Sequence, residues 1–227
     1  ENGRQPQVVD FLKRETEGNV FFLVEVVRAL AEDAGQLEQI GLMTLPQHIF
    51  AGGVQRIVTR RLERVPAWGR GLLRIAAVAG RQVNTELLQE LVQVAALPAE
   101  KSFEEWLTIC GDAAVLEVQE NQWRFSHDKL REGILEELDD AQKRVLHEQI
   151  AQKMEQVYPG AMEHAAALVY HWHHAGNTAK EAHYALIAGD QAMQQGANRQ
   201  ATEFFEAATA AFERLPEAVS YTHLRAH

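Results

Sequence analysis

The chain has 227 residues, with 22 basic against 32 acidic side chains and a formal net charge of −10 at pH 7. That balance argues against a general nucleic-acid or anionic-membrane surface, either of which needs a basic patch. Cys110 is the one cysteine, so no disulfide framework exists within the chain, which fits a reducing, cytoplasmic compartment. No apolar run approaches the length that spans a bilayer.

One or two domains are expected at this length. No signal sequence opens the chain. It begins Glu1-Asn2-Gly3 without an initiator Met and leads straight into helical pattern, so a piece of something longer is expected.

Nearly every segment has helical period. Val8 to Glu15 reads as a short helix stopped at Gly18-Asn19, a pair that tolerates left-handed backbone. Phe21 to Ala34 is a strong helix with Phe22, Val26, Ala29 and Leu30 on one side, ended by Gly35. The chain restarts at Leu45-Pro46, and Gly52-Gly53 precede a helix over Val54 to Leu62. A further helix spans Trp68 to Ala79 and ends at Gly80. Asn84 or Thr85 caps Glu86 to Val94, and a helix over Ala99 to Cys110 follows Pro98.

Ala114 to Val118 then reads as a strand, Glu120-Asn121-Gln122 as a turn and Trp123 to Phe125 as the returning strand. Asp128 or Ser126 can cap the next helix, which carries Leu130, Ile134, Leu135 and Leu138 on one face. Three helices followed by a two-stranded hairpin is the order of a winged-helix domain. Such domains often bind DNA, but the segment in the recognition position, Ala99 to Asp112, sets Lys101 against Glu100, Glu104, Glu105 and Asp112, a net charge of −3. A helix in the major groove must approach phosphates, and this one is repelled.

Beyond Ala141 the pattern is all helix: Ala141 to Val157, Ala161 to Ala175, Thr178 to Gln195 and Ala197 to Leu215. Gly189, Ala201 and Ala208, with Phe205 between, match the small–aromatic–small spacing of a tetratricopeptide repeat, with the usual late proline displaced to Pro216. The last residues, Val219 to His227, break from this pattern and resemble translated library-adapter sequence, so no function is expected of them. The overall expectation is a mainly α chain in four parts. Residues 1–43 form a helical lid segment, 44–140 a winged-helix domain with a small β-hairpin, 141–216 helical-hairpin repeats, and 217–227 an artefactual tail.

The candidate site is His127, which the hairpin places where a strand becomes a helix. There an imidazole lies near a helix N-terminus, whose exposed donors and dipole favour an anion. A purely structural reading, a half-buried histidine that caps the junction, accounts for the same position. His171 and His174 share a helix face with His164 about two turns earlier, but no carboxylate or cysteine completes a tetrahedral set, so no metal site is expected. Consecutive carboxylates such as Glu136-Glu137 point in different directions on a helix and read as solvated surface.

Several of these segments, in order, resemble one family. Residues 15–30 (ETEGNVFFLVEVVRAL) resemble the "TEGNPFFLEEVVRAL" segment of bacterial STAND-type signalling ATPases, P-loop switch proteins of the AAA-like branch. That branch includes MalT- and LuxR-type regulators and ATPase modules attached to cyclases or protein kinases. Leu45-Pro46 with residues 60–66 (RRLERVP) resembles the family's "LP…RRLxxLP" pattern, and residues 75–81 (IAAVAGR) its "AAVLGR" helix. Residues 125–132 (FSHDKLRE) resemble its "FxHDxLRE" element, and the helix around His171 its "LAxHYxxAG" helix. The resemblance runs from about Val8 to Pro216.

The resemblance implies that Gly18, Asn19 and Val20 form the loop that closes over an adenine, and that His127 reaches the β-phosphate of bound ADP. The family has proline where this chain has Val20, so the loop lacks proline's fixed φ. No GxxxxGK[ST] occurs in this sequence. ATP or ADP with Mg²⁺ is therefore expected to be held by a longer parent, not tightly by this chain, and catalysis is not expected of it alone. The implied role is nucleotide sensing and regulation of an output module for transcription, cyclic-nucleotide synthesis or phosphorylation, with protein partners met through the helical repeats. The alternative is a non-enzymatic helical scaffold.

Overall fold

The computed structural model describes residues 53–160 and 162–215, together with Val24, which is helical. Gly18, Asn19 and Val20, the expected lid segment and the tail after Leu215 lie outside the described residues. The described chain is mainly helical with one small two-stranded antiparallel sheet.

The first helix, α1 (Gly53–Glu63), is followed by Pro66, which precedes α2 (Ala67–Ala79). Proline's preset φ suits the position before a helix, and Gly80 ends α2 as the sequence predicts. The next two helices are shorter than expected. Asn84 Oδ1 accepts from the Leu87 N–H and starts α3, but α3 covers only Thr85–Glu90. Turns carry the chain onward through Ala96, which is left-handed at φ 53°. Helix α4 spans Phe103–Asp112 because Ser102 accepts from the Glu105 N–H, a better cap than anything near Ala99.

The hairpin follows. β1 (Leu116–Gln119) pairs with β2 (Gln122–Phe125), with Leu116 opposite Phe125 and Gln119 opposite Gln122. Glu120 and Asn121 make the two-residue loop at φ 51° and 64°, the left-handed pair that a type I′ turn requires. The sequence does not announce a third segment beside β2. There, the Val83 N–H donates to the Trp123 carbonyl at 2.8 Å and the Phe125 N–H to the Arg81 carbonyl at 3.1 Å. This bridge anchors the exit of α2 to the hairpin.

Helix α5 (Asp128–Glu136) packs on α1 and α2. Asp139 and Gln142 form a reciprocal capping box that starts α6 (Asp140–Val157). A 3₁₀ turn over Met162–His164 precedes α7 (Ala165–Ala175), where the sequence suggests one helix from Ala161. Then come α8 (Thr178–Gln194) and α9 (Asn198–Glu213), stacked in chain order by contacts of α6 with α7, α7 with α8 and α8 with α9.

One buried apolar cluster runs from Val58 in α1 through Leu72, Trp106, Phe125 and Leu130 to Ile150, Leu168 and Trp172. Its far end is in α6 and α7, because α6 packs against α2 and α3. The core therefore passes without a break across the junction at Asp140.

Candidate functional site

His127 is held in place from both sides. Two residues before it, Phe125 is fully buried, and three after it, Leu130 is fully buried, so the junction between β2 and α5 has an anchor at each end. Ser126 locks the middle. Its Oγ donates to the Ala114 carbonyl at 2.7 Å and its N–H donates to the Val115 carbonyl at 3.0 Å. Arg131 Nε donates to the Ala77 carbonyl at 2.7 Å and ties α5 to α2.

Neither Asp128 nor Ser126 caps α5. Ser126 is occupied with Ala114, and Asp128 pairs with Arg81, Oδ1 to Nε at 3.2 Å. His127 itself is the N-cap, with extended backbone and Nδ1 accepting from the Lys129 N–H at 3.1 Å. An accepting Nδ1 places the proton of the neutral ring on Nε2 and makes that atom a donor. The ring's pKa is lowered from its ordinary value by desolvation first, with Arg81 and Lys129 adding to the effect and Asp128 and Glu132 opposing it. The neutral donor form is thus favoured near pH 7.

Two cations stand beside the ring, each with a carboxylate. Arg81 pairs with Asp128, and Lys129 with Glu132 one turn along α5. These exposed pairs are worth little in water, and an arriving oxyanion can compete for either cation. An open groove lined by Gly80, Arg81, Asn84, Glu86, Asn121 and Trp123 runs along the adjoining edge of the hairpin. Arg81 lies in the IAAVAGR run, yet the sequence reading gives it no role. The only signal for it is an arginine directly after a helix-ending glycine.

Of the other histidines, His171 and His174 share a face of α7, as their spacing predicts, and both rings lie against His147. His171 turns its Nδ1 to His147 at 2.9 Å, and His174 turns its Nδ1 to the Tyr170 carbonyl at 2.7 Å. His164 lies apart from them, against the ring of Tyr158. Among the described residues, no cluster of three or more histidine, cysteine or acidic side chains is arranged to hold a metal. Cys110 is buried, and burial pushes its thiol up to about 12, so it is no nucleophile. No helix among the described residues is long and apolar enough to cross a membrane.

The described residues around His127 bring together a small set of polar groups. They offer an imidazole donor and two paired cations, and the sequence contains no phosphate-cradling glycine loop. Comparisons with protein-family models, with curated proteins and with solved structures find no match.

Proposed function

We propose that this chain is the nucleotide-sensing and regulatory part of a STAND-type switch. In this reading, α2, α3, α4 and the hairpin are a winged helix, and α6 to α9 begin a tetratricopeptide-like array that meets protein partners. The helix–helix–helix–hairpin order supports the first assignment, together with the bridge from Arg81–Val83 to β2. The packing of Phe205 over Gly189 supports the second.

The observation that carries the reading is His127. Its Nδ1 is committed to the helix it caps, so Nε2 becomes the donor, on a ring fixed by buried neighbours on both sides. An Nε2–H aimed at a diphosphate oxygen from a separately moving body couples nucleotide state to the position of that body. The effect equals the difference in contact free energy between closed and open states. Gly18, Asn19 and Val20 would contribute the loop over the adenine. ATP or ADP with Mg²⁺ would be held mainly by an upstream P-loop, which supplies the phosphate-transfer chemistry. The residues of this chain bind and report.

The reading is tested by expressing the chain extended upstream through the proposed P-loop and measuring ADP retained after desalting. Stoichiometric ADP in the extended chain, lost in the variant His127→Asp, is the expected result. Equal retention in that variant would remove the sensing role and leave the helical-scaffold alternative.

A further inference from the structure

Helices α6 and α7 meet through a pair of imidazoles. His147 and His171 are 6% and 3% exposed, and their Nδ1 atoms lie 2.9 Å apart. His174 stacks on His147 with ring centroids 4.8 Å apart, and Tyr170 presents its edge to both buried rings. A hydrogen bond between two Nδ1 atoms requires opposite tautomers, one ring protonated there and the other accepting. One added proton can go to the outer nitrogen of the donor ring with the bond intact. A second sets N–H against N–H and breaks it.

Among the described residues, no carboxylate acts on either ring. The groups acting on the pair are His174 from α7 and Arg131 from α5. From α8, Glu181 is taken by Arg214 and His173, and Lys180 by Glu155 of α6. From α2, Arg74 faces Glu137, and from α3, Glu86 is bonded to Tyr158. Glu148, next to His147, is exposed and bonded to Gln152. Burial, as the largest cause, lowers His147 to about 4 and His171 to about 3.

We propose that the His147–His171 pair is an acid-sensitive clasp that holds α7 on α6 while both rings are neutral and releases it when they take up protons. The response is local. Among the described residues the buried polar or charged side chains are Arg61, His147, His171 and Glu181, so the core of α1 to α5 contains no buried group that gains a proton as acid is added. The folded-state values lie below the ordinary histidine value of about 6.5, so closure is fully supported above about pH 6.5 and weakens as pH falls through that value. Each proton taken up preferentially by the open form costs up to about tenfold in the closing equilibrium per pH unit.

The test is hydrogen exchange at pH 7.5 and pH 5.0, corrected for the intrinsic pH dependence of exchange. Protection over residues 140–175 falls at least about tenfold at pH 5.0, while residues 67–79 and 103–112 keep theirs. Unchanged protection in 140–175, or an equal loss everywhere, overturns the proposal. The double variant His147→Phe, His171→Leu abolishes the pH effect, and a pH effect that persists in it also overturns the proposal. Should that variant fail to fold, ring-proton NMR titration of the unmodified chain decides. Both rings titrating below about pH 5 supports the clasp, and either titrating near 6.5 overturns it.

Discussion

Phe205 of α9 occupies the space that a side chain on Gly189 of α8 would need: a β-carbon built there collides with the phenyl ring. The contact fixes how closely the two helices approach. Gly189→Ala forces the ring or the helix to move, and overpacking of this kind costs about 1–3 kcal/mol. Urea denaturation followed by circular dichroism is expected to show a lower midpoint. A variant as stable as the parent would mean that α9 does not pack on α8 in this register.

Trp106 of α4 is fully buried, and its Nε1–H donates to the Gly69 carbonyl of α2 at 2.9 Å. Trp106→Phe keeps most of the apolar contact and loses the indole's hydrogen bond to a carbonyl that α2 also bonds within the helix. A loss of about 0.5–1.5 kcal/mol is expected from that bond. Chemical denaturation measures it, and a change under about 0.5 kcal/mol would show that water reaches Gly69.

Duplex DNA is not expected to bind this chain specifically at physiological salt. Glu104 and Glu105 occupy the first turn of α4, and Lys101, the one cation of that segment, is paired with Glu105 at 2.6 Å. A helix so charged repels phosphates. An anisotropy titration showing sequence-dependent, submicromolar binding would contradict this.

Much of this architecture can be read from local chemistry. Gly80 ends α2, and the alternation from Ala114 to Phe125 marks the hairpin, because both signals depend on neighbouring residues. The start of α5 is less legible. Ser126, His127 and Asp128 are all able to cap, and which one does so depends on partners elsewhere in the chain. Ser126 is drawn away by Ala114 and Asp128 by Arg81, which leaves the cap to His127. The bridge at Gln82 and the His147–His171 contact are long-range pairings with no periodic signature. His171 and His174 stand out by their spacing, whereas the actual partner of His171 sits on another helix, 24 residues away.

In the proposed switch His127 senses nucleotide as well as capping α5, and Asp separates the two roles. In a chain extended through the proposed P-loop, His127→Asp puts a carboxylate oxygen in place of Nδ1 as acceptor for the Lys129 N–H and suits the helix dipole, so stability is retained. It removes the Nε2–H donor and sets a negative charge toward the diphosphate. His127→Ala loses the cap as well, at a cost of about 1 kcal/mol. Stopped-flow release of a fluorescent ADP analogue is the deciding measurement. A hydrogen bond to a charged group is worth about 1.5–3 kcal/mol, so release is predicted to be at least about tenfold faster in both variants, including the fully stable His127→Asp. An unchanged off-rate in His127→Asp would rule out nucleotide sensing and reduce His127 to a helix cap.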